Sequence, residues 1–184
     1  EGIEVDLLAQ AHEKEIPNSD YFGISATTLE FFEACKQARR IREFNPKAKI
    51  IAGGAHFDVL PESDWKTEME NLPFDVICRG EGEATIQEAI NYLEEGKNEK
   101  KLITQKGELL NLDSIDLPAR DLLDKARYFV PGNTFNGNLE IKGNSSTIMA
   151  SRGCPFSCSF CASPLLHNRK LRIKNLENTV VELE

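Results

Sequence analysis

Short apolar segments alternate with two amphipathic segments through the first half of the chain. Four of the apolar segments have the length of β-strands, at residues 2–8, 21–25, 48–52 and 75–78. Residues 29–44 and 83–95 place apolar side chains at the three- and four-residue spacing of amphipathic helices. Pro46 ends the first of these helices and Gly96 the second. Strands that alternate with helices predict a parallel sheet. We therefore expect a doubly wound α/β domain that lacks its first strand and helix.

The second half of the chain has a different pattern. Residues 102–104 and 108–112 are apolar segments on either side of Lys106-Gly107, which predicts a β-hairpin. An Asn- and Gly-rich stretch at 132–144 is typical of a connector. A strand at 146–150, a dense loop and a helix from Leu176 follow. This predicts three regions: an α/β domain at 1–97, a connector at 98–144, and the first βα unit of a partial (β/α) barrel at 145–184.

Composition and charge exclude several classes of protein. The 184 residues are 40% hydrophobic and 28% charged, as in globular proteins. A net charge of −8 argues against binding nucleic acid through its phosphates. No apolar run approaches the ~20 residues that span a bilayer. The basic run at 169–174 is expected to be a solvated surface rather than a site for an anion. The chain starts at Glu1 and ends inside a predicted helix, which favours a piece of a longer protein.

Three of the five cysteines lie within eight residues, at Cys154, Cys158 and Cys161. The odd number and the absence of a visible signal segment indicate a reducing cytoplasm rather than a disulfide framework. Cys35 and Cys78 are expected to be buried structural thiols. The triplet could form a zinc site if His167 completed four ligands. Three thiolates with an open fourth position suit an iron–sulfur cluster better.

The segment from Ser151 to Cys161 resembles the signature of radical S-adenosylmethionine enzymes, Cys-x3-Cys-x-aromatic-Cys, with Phe160 as the aromatic residue. The resemblance implies a [4Fe–4S] cluster on Cys154, Cys158 and Cys161, whose open iron chelates S-adenosylmethionine. Its reductive cleavage would give a 5′-deoxyadenosyl radical. The resemblance places the backbone of Phe160 near the adenine, and packing in the core is the alternative for its ring. Beyond the cluster ligands, no catalytic residue can be assigned.

Two loops follow neighbouring strands of the predicted sheet. Ser25 and Thr27 follow the strand at 21–25, and Gly53 and Gly54 follow the strand at 48–52. Ligands bind at the carboxyl ends of parallel strands, where glycines allow close approach and hydroxyls form hydrogen bonds. The alternative is purely structural, with a threonine capping the next helix and a tight turn at the glycines.

Placed ahead of the cysteine triplet, these loops resemble the cobalamin-binding domain of many radical S-adenosylmethionine enzymes. Gly80-Glu81-Gly82-Glu83 and residues 117–121, Leu-Pro-Ala-Arg-Asp, also match. The resemblance implies that Ser25, Thr27, Gly53 and Gly54 line a pocket for the nucleotide tail of cobalamin. His12 and His56 lie outside the sequence context of the family's axial ligand, so no axial ligand is assigned.

The resemblance implies an enzyme that uses cobalamin for methyl transfer or rearrangement on a small-molecule or peptide substrate that the sequence does not specify. A flavodoxin- or ferredoxin-like protein would donate the electron. Two alternatives remain open. One is a radical S-adenosylmethionine oxidoreductase with a vestigial N-terminal domain, and the other is a zinc-stabilised binding module on the three cysteines and His167.

Overall fold

The computed structural model describes residues 16–59, 61–97, 99–105, 108–122, 134–135, 139–140 and 147–183. The strand predicted at 2–8 lies outside these residues. The described chain forms two compact units. We call residues 16–110 with 153–171 the α/β unit, and residues 111–152 with 172–183 the connector unit.

The α/β unit is built on a four-stranded parallel sheet. The strands lie in chain order: β1 (Tyr21–Ser25), β2 (Lys49–Gly53), β3 (Val76–Arg79) and β4 (Lys101–Thr104). All three neighbouring pairs are parallel. The predicted α/β class with a parallel sheet is confirmed, and the observed strands differ by at most one residue at each end from those predicted at 21–25, 48–52 and 75–78.

The hairpin predicted around Lys106-Gly107 is wrong. Its first segment is β4, which pairs in parallel with β3. Its second segment leads into a 3-10 turn at Leu112–Ser114. Ile103 of β4 is buried beside Cys78 of β3. The apolar segment therefore gains more by joining a buried parallel sheet than by pairing with the short segment that follows it.

Helices cover both faces of the sheet. They are α1 (Phe31–Phe44), α2 (Ala55–Val59), α3 (Glu62–Glu68) and α4 (Gly82–Glu94). Successive strand residues point to opposite faces, so Ile50 packs with residues of α1, α2 and α3, whereas Ile51 packs with residues of α4. The two long helices confirm the predicted amphipathic segments at 29–44 and 83–95.

The short helices α2 and α3 were not predicted, because five and seven residues are too few to show helical periodicity. Buried aromatic side chains hold both of them. Trp65 of α3 packs on the ring of Phe57 of α2, with ring centroids 5.1 Å apart. The Trp65 indole N–H also donates a hydrogen bond to the Phe57 carbonyl oxygen at 2.8 Å.

The connector unit holds short antiparallel pairs. They are β5 (Thr134–Phe135) with β6 (Leu139–Glu140), and β7 (Ser151–Arg152) with β8 (Arg172–Ile173). Residues 147–150, predicted to be strand, have no regular structure, and pairing starts only at Ser151. Two helices follow β7 in the chain, α5 (Ser163–His167) of the α/β unit and α6 (Leu176–Leu183) of the connector unit, and α6 confirms the helix predicted from Leu176. The parallel βα unit of a barrel is not seen among the described residues. No helix in these ranges is long and apolar enough to cross a membrane.

Candidate functional site

The residues predicted to line the carboxyl edge of the sheet do lie together there. Ser25 ends β1 and Gly53 ends β2, and the two are partners in the parallel register. The chain after each strand is also tied to its neighbour, since the N–H of Ala26 donates to the carbonyl of Gly53 at 3.0 Å. Thr27 and Gly54 follow within two residues. Ser25 and Thr27 are exposed, and the two glycines are half-buried.

Gly54 is required by the fold itself. Its φ of +99° favours glycine, and a Cβ there would lie 2.7 Å from the Ser25 Oγ and 2.8 Å from the backbone N and O of Ala26. The backbone that approaches Gly54 closely is therefore the end of β1. This geometry supports the structural alternative for Gly54, a tight turn that starts α2. Gly53 is different, because a Cβ there would make only ordinary contacts with Cys78, at 3.6 and 3.8 Å.

Thr27 lies in a turn that leads into α1. Its N–H and its hydroxyl both donate to the carboxylate of Glu30, at 3.1 and 2.8 Å. The hydroxyl bond and the backbone bond from Thr27 hold the pKa of the Glu30 carboxyl below its usual value. The threonine thus donates hydrogen bonds to a side chain rather than accepting them as a helix cap. Ser25 is left as the exposed strand-end hydroxyl of this edge.

His56 is a core histidine in this structure. Its ring lies 4.2 Å from the ring of Phe31, centroid to centroid, and its Nδ1 is 3.1 Å from the Thr28 hydroxyl. Burial lowers the pKa of His56, which favours the neutral imidazole. The side chain is buried between α1 and α3 rather than presented at the edge. His12 lies outside the described residues.

The three clustered cysteines occupy a loop at 153–162, which we call the cysteine loop. It runs from β7 to the short helix α5 (Ser163–His167). All three are free thiols; Cys154 is half-buried, and Cys158 and Cys161 are exposed. A turn joins the last two, because the N–H of Cys161 donates to the carbonyl of Cys158 at 3.1 Å.

The other two cysteines behave as structural thiols. Cys35 and Cys78 are both buried in the α/β unit. Burial raises the pKa of each thiol, which keeps it protonated and unreactive at neutral pH. This agrees with the interpretation of these residues from the sequence.

The donor set of the cysteine loop is compatible with a cluster. A single zinc ion needs four ligand atoms about 2.0–2.3 Å from one point. Among the residues that the structure describes, no three His, Cys, Asp or Glu side chains are grouped closely enough to hold one metal ion. This applies to the three cysteines with or without His167, so the grouping of side chains does not separate a zinc site from a cluster. A cubane cluster binds each thiolate at a different iron, so three free thiols on one loop fit its chemistry.

The cysteine loop folds back on itself at Gly153. The φ of Gly153 is +100°, and a Cβ there would collide with the Lys170 carbonyl and lie 3.1 Å from the Cβ of His167. Only glycine allows this closure, which brings the beginning of the loop against the segment that follows α5. The ring of Phe160 is 91% exposed, so core packing among the described residues does not account for it.

Helix α5 packs against α2, which begins directly after Gly54. Asp58 of α2 accepts a hydrogen bond from the N–H of Gly80 at 2.6 Å. Burial raises the pKa of the Asp58 carboxyl, while this bond and the charges of Arg79 and His167 oppose the shift. Asp58 therefore ties the end of β3 to α2, the helix against which α5 packs. The sequence contained no signal for this role.

Of the remaining motifs, the Gly80–Glu83 motif buries only one residue, and Gly80, Gly82 and Glu83 are exposed. Glu81 of the Gly80–Glu83 motif is buried, and its carboxylate accepts from the N–H of Leu110 at 2.8 Å. The basic run is not uniformly solvated as expected. Lys170 is exposed and 3.8 Å from Glu108, but the side chain of Lys174 is buried in an ion pair with Glu182.

Comparison with known proteins finds enzymes. No protein-family model matches the chain. An uncharacterized methyltransferase of Pyrococcus horikoshii is 30% identical over 199 aligned positions, which cover 100% of this chain and 40% of the relative. The hopanoid C-3 methylase of Methylococcus capsulatus is 32% identical over 159 positions, covering 82% of the chain and 29% of the relative. The anaerobic magnesium-protoporphyrin IX monomethyl ester cyclase of Rubrivivax gelatinosus is 27% identical over 188 positions, which cover 90% of this chain and 30% of the relative. The chain thus spans at most 40% of the length of these relatives.

Proposed function

We propose that this chain carries the cluster-binding loop and the corrinoid-binding edge of a radical S-adenosylmethionine enzyme. The observation that carries the proposal is the cysteine loop, in which Cys154, Cys158 and Cys161 are free thiols and two of them are exposed. The similarity of the chain to an uncharacterized methyltransferase, a hopanoid C-3 methylase and a magnesium-protoporphyrin IX monomethyl ester cyclase supports an enzyme of this class. We propose methyl transfer as the reaction, on a small-molecule or peptide substrate.

In this proposal the three thiolates hold a [4Fe–4S] cluster, and Phe160 lies next to bound S-adenosylmethionine. When bound, such a cluster would supply the one electron that cleaves S-adenosylmethionine into methionine and a 5′-deoxyadenosyl radical. The electron comes from a flavodoxin- or ferredoxin-like donor. The chain's own part is to hold the thiolates on a loop that Gly153 closes and that α5 fixes against α2.

Cobalamin would bind at the carboxyl edge of the sheet, where Ser25 and Thr27 are exposed beside Gly53. The register pairing of Ser25 with Gly53 supports this, because it brings a hydroxyl and a glycine of two strands to one point. Gly54 supports the pocket indirectly by keeping α2 against the end of β1.

A second candidate is an oxidoreductase in which the α/β unit has lost its corrinoid. The similarity to the magnesium-protoporphyrin cyclase, a protein not named as a methyltransferase, favours this candidate. The structural roles of Gly54 and Thr27 are consistent with it, because both are explained without a ligand. Measurement of corrinoid binding separates the two candidates.

Cysteine substitution tests the cluster. Cys154→Ala, Cys158→Ala and Cys161→Ala should each prevent assembly of a stable four-iron centre after anaerobic reconstitution. The matched controls Cys35→Ala and Cys78→Ser concern buried thiols outside the loop and should leave iron and sulfide content unchanged. Absorbance near ~400 nm identifies an iron–sulfur centre, whereas colourless zinc binding would favour the binding module. A Cys158→Ala variant that keeps four irons would contradict the assignment.

Corrinoid binding is tested at Ser25. Ser25→Ala removes one exposed hydroxyl and leaves the strand intact, and one lost hydrogen bond of about 1 kcal/mol weakens binding about fivefold. Ser63→Ala is the matched control, because Ser63 is an exposed serine of α3 in the same unit. Equilibrium dialysis with hydroxocobalamin measures both. Equal affinity of the Ser25→Ala variant and the unsubstituted chain would remove Ser25 from the pocket, and no binding by either would favour the second candidate.

A further inference from the structure

Two sequence motifs that the proposed function leaves unexplained meet at one carboxylate of the connector unit. Arg120 belongs to the Leu-Pro-Ala-Arg-Asp motif, and Lys174 belongs to the basic run. The Arg120 Nη2 lies 2.6 Å from the Glu182 Oε1, and the Lys174 Nζ lies 2.6 Å from the Glu182 Oε2. We call Arg120, Lys174 and Glu182 the charge triad.

The charge triad also connects the backbone on both sides of the cysteine loop. Arg120 donates from the same Nη2 to the carbonyl of Thr147 at 2.8 Å. The N–H of Lys174 donates to the carbonyl of Ala150 at 2.9 Å. Thr147 and Ala150 precede the cysteine loop in the chain, whereas Lys174 and Glu182 follow it. The triad and the pairing of β7 with β8 therefore hold the incoming and outgoing chain segments together.

Because the charge triad is largely buried, its contacts restrict how the chain segments on either side of the cysteine loop are arranged. The side chain of Glu182 is 4% exposed, that of Lys174 is 8% exposed and that of Arg120 is 29% exposed. A charge taken out of water needs its partners, and removing one of them leaves the others without compensation. The carboxylate has both oxygens engaged, one by each cation. The arrangement has a net positive charge, so loss of the carboxylate would leave the buried Lys174 and the partly buried Arg120 without their shared anion.

We propose that Arg120, Lys174 and Glu182 are positioning residues for the cysteine loop. They act by fixing the two ends between which the loop is closed, rather than by supplying ligands themselves. Because a cluster needs all three thiolates in reach at once, loosening these ends lowers its retention. The cluster part of this inference rests on the proposed function, whereas the effect on the loop ends does not.

The test uses the full 184-residue chain with Glu182→Gln as the main variant. Glu177→Gln, at an exposed position in the first turn of α6, is the matched control. Without the cluster, we expect hydrogen exchange at the Lys174 amide to become at least tenfold faster. We also expect alkylation of the half-buried Cys154 to approach the rate of the exposed Cys158. After reconstitution, we expect at least a threefold loss of retained iron and a broadened electron paramagnetic resonance signal of the reduced cluster. Glu177→Gln should change none of these.

The fluorescence of Trp65, which lies in the other unit, must stay unchanged in Glu182→Gln. If that variant unfolds, Glu182→Gln with Lys174→Met decides the matter. It removes one anion and one cation together, and it should restore at least half of the lost exchange protection and iron retention. Unchanged exchange and alkylation in Glu182→Gln would overturn the inference, as would faster exchange with full iron retention. If the unsubstituted chain takes up no cluster, the proposed function fails, and exchange and alkylation still decide whether the triad positions the loop.

Discussion

Replacing Gly54 by alanine should destabilise the α/β unit strongly. The φ of +99° is a conformation that side-chain-bearing residues rarely adopt, and forcing alanine into it costs about 1–2 kcal/mol. The new Cβ would also lie 2.7–2.8 Å from Ser25 Oγ and from the backbone N and O of Ala26. Relief of that overpacking requires the start of α2 to move away from β1, at about 1–3 kcal/mol. We therefore expect Gly54→Ala to lower the free energy of unfolding by about 2–5 kcal/mol.

Gly53→Ala is the matched control one residue earlier. A Cβ at Gly53 meets the Cys78 carbonyl at 3.6 Å and its Cβ at 3.8 Å, both ordinary contacts, and the φ of Gly53 is not in the left-handed region. The loss of chain entropy in the unfolded state should leave this variant neutral or stabilised by up to about 1 kcal/mol. The neighbouring glycines therefore have opposite expected effects.

Urea unfolding followed by tryptophan fluorescence measures both variants. Trp65 is the one tryptophan of the chain, and it is buried against α2, the helix that Gly54 starts. A Gly54→Ala variant that loses less than about 1 kcal/mol would refute the close contact with Ala26. A loss as large in Gly53→Ala would show that any side chain at this edge is disruptive. A fall in corrinoid affinity in Gly54 variants would report on the fold rather than on a ligand contact.

Three further outcomes are expected. Asp75→Ala removes a carboxylate that accepts two bonds from Arg42 and one from a backbone N–H of β2, and chemical denaturation should show a loss of about 3 kcal/mol. In the reduced chain without a cluster, iodoacetamide followed by peptide mass spectrometry should find Cys158 alkylated much earlier than Cys78, whose burial raises its thiol pKa. Hydrogen bonds from Lys174 and, to a smaller extent, Arg120 hold the pKa of Glu182 below its ordinary 4.5. The ionised Glu182 therefore stabilises the fold above pH 4.5, and this stabilisation is lost as the pH falls through the lowered pKa. Glu182→Gln should flatten this pH dependence of the unfolding free energy.

The elements that the sequence predicted well are those whose signal is local. The two long helices show apolar stripes over thirteen or fourteen residues, and the sheet strands are short apolar runs between polar segments. The carboxyl edge could also be predicted, because parallel strands end at the same side of a sheet and the register then pairs Ser25 with Gly53. The cysteine loop was recognised by the spacing of its three cysteines together with the aromatic Phe160 and the predicted strand before it.

The errors arose where a partner distant in sequence decided the structure. Residues 101–104 have the composition of a hairpin strand, but pairing with β3 buries Ile103 in the sheet, which the short segment at 108–112 does not offer. Helices α2 and α3 are stabilised by the contact of Phe57 with Trp65. Each helix is too short for its apolar residues to show a helical period in the sequence. At Gly54 the sequence left two explanations open, a close approach by a ligand or a tight turn, and the partner that comes closest in the structure is the end of β1.

The basic run shows most clearly why charge patterns alone do not identify a site. Lys170 and Lys174 are four residues apart and look alike in the sequence, yet the first is exposed near Glu108 and the second is buried against Glu182. The difference is that Lys174 shares the Glu182 carboxylate with Arg120, which lies 62 residues before Glu182 in the sequence. A solvated lysine contributes little to the stability of a fold, whereas a buried one restricts the arrangement of everything that faces it. The sequence does not distinguish Lys174 from Lys170, and the positioning role that we propose for Lys174 depends on the two chain segments that enclose the cysteine loop.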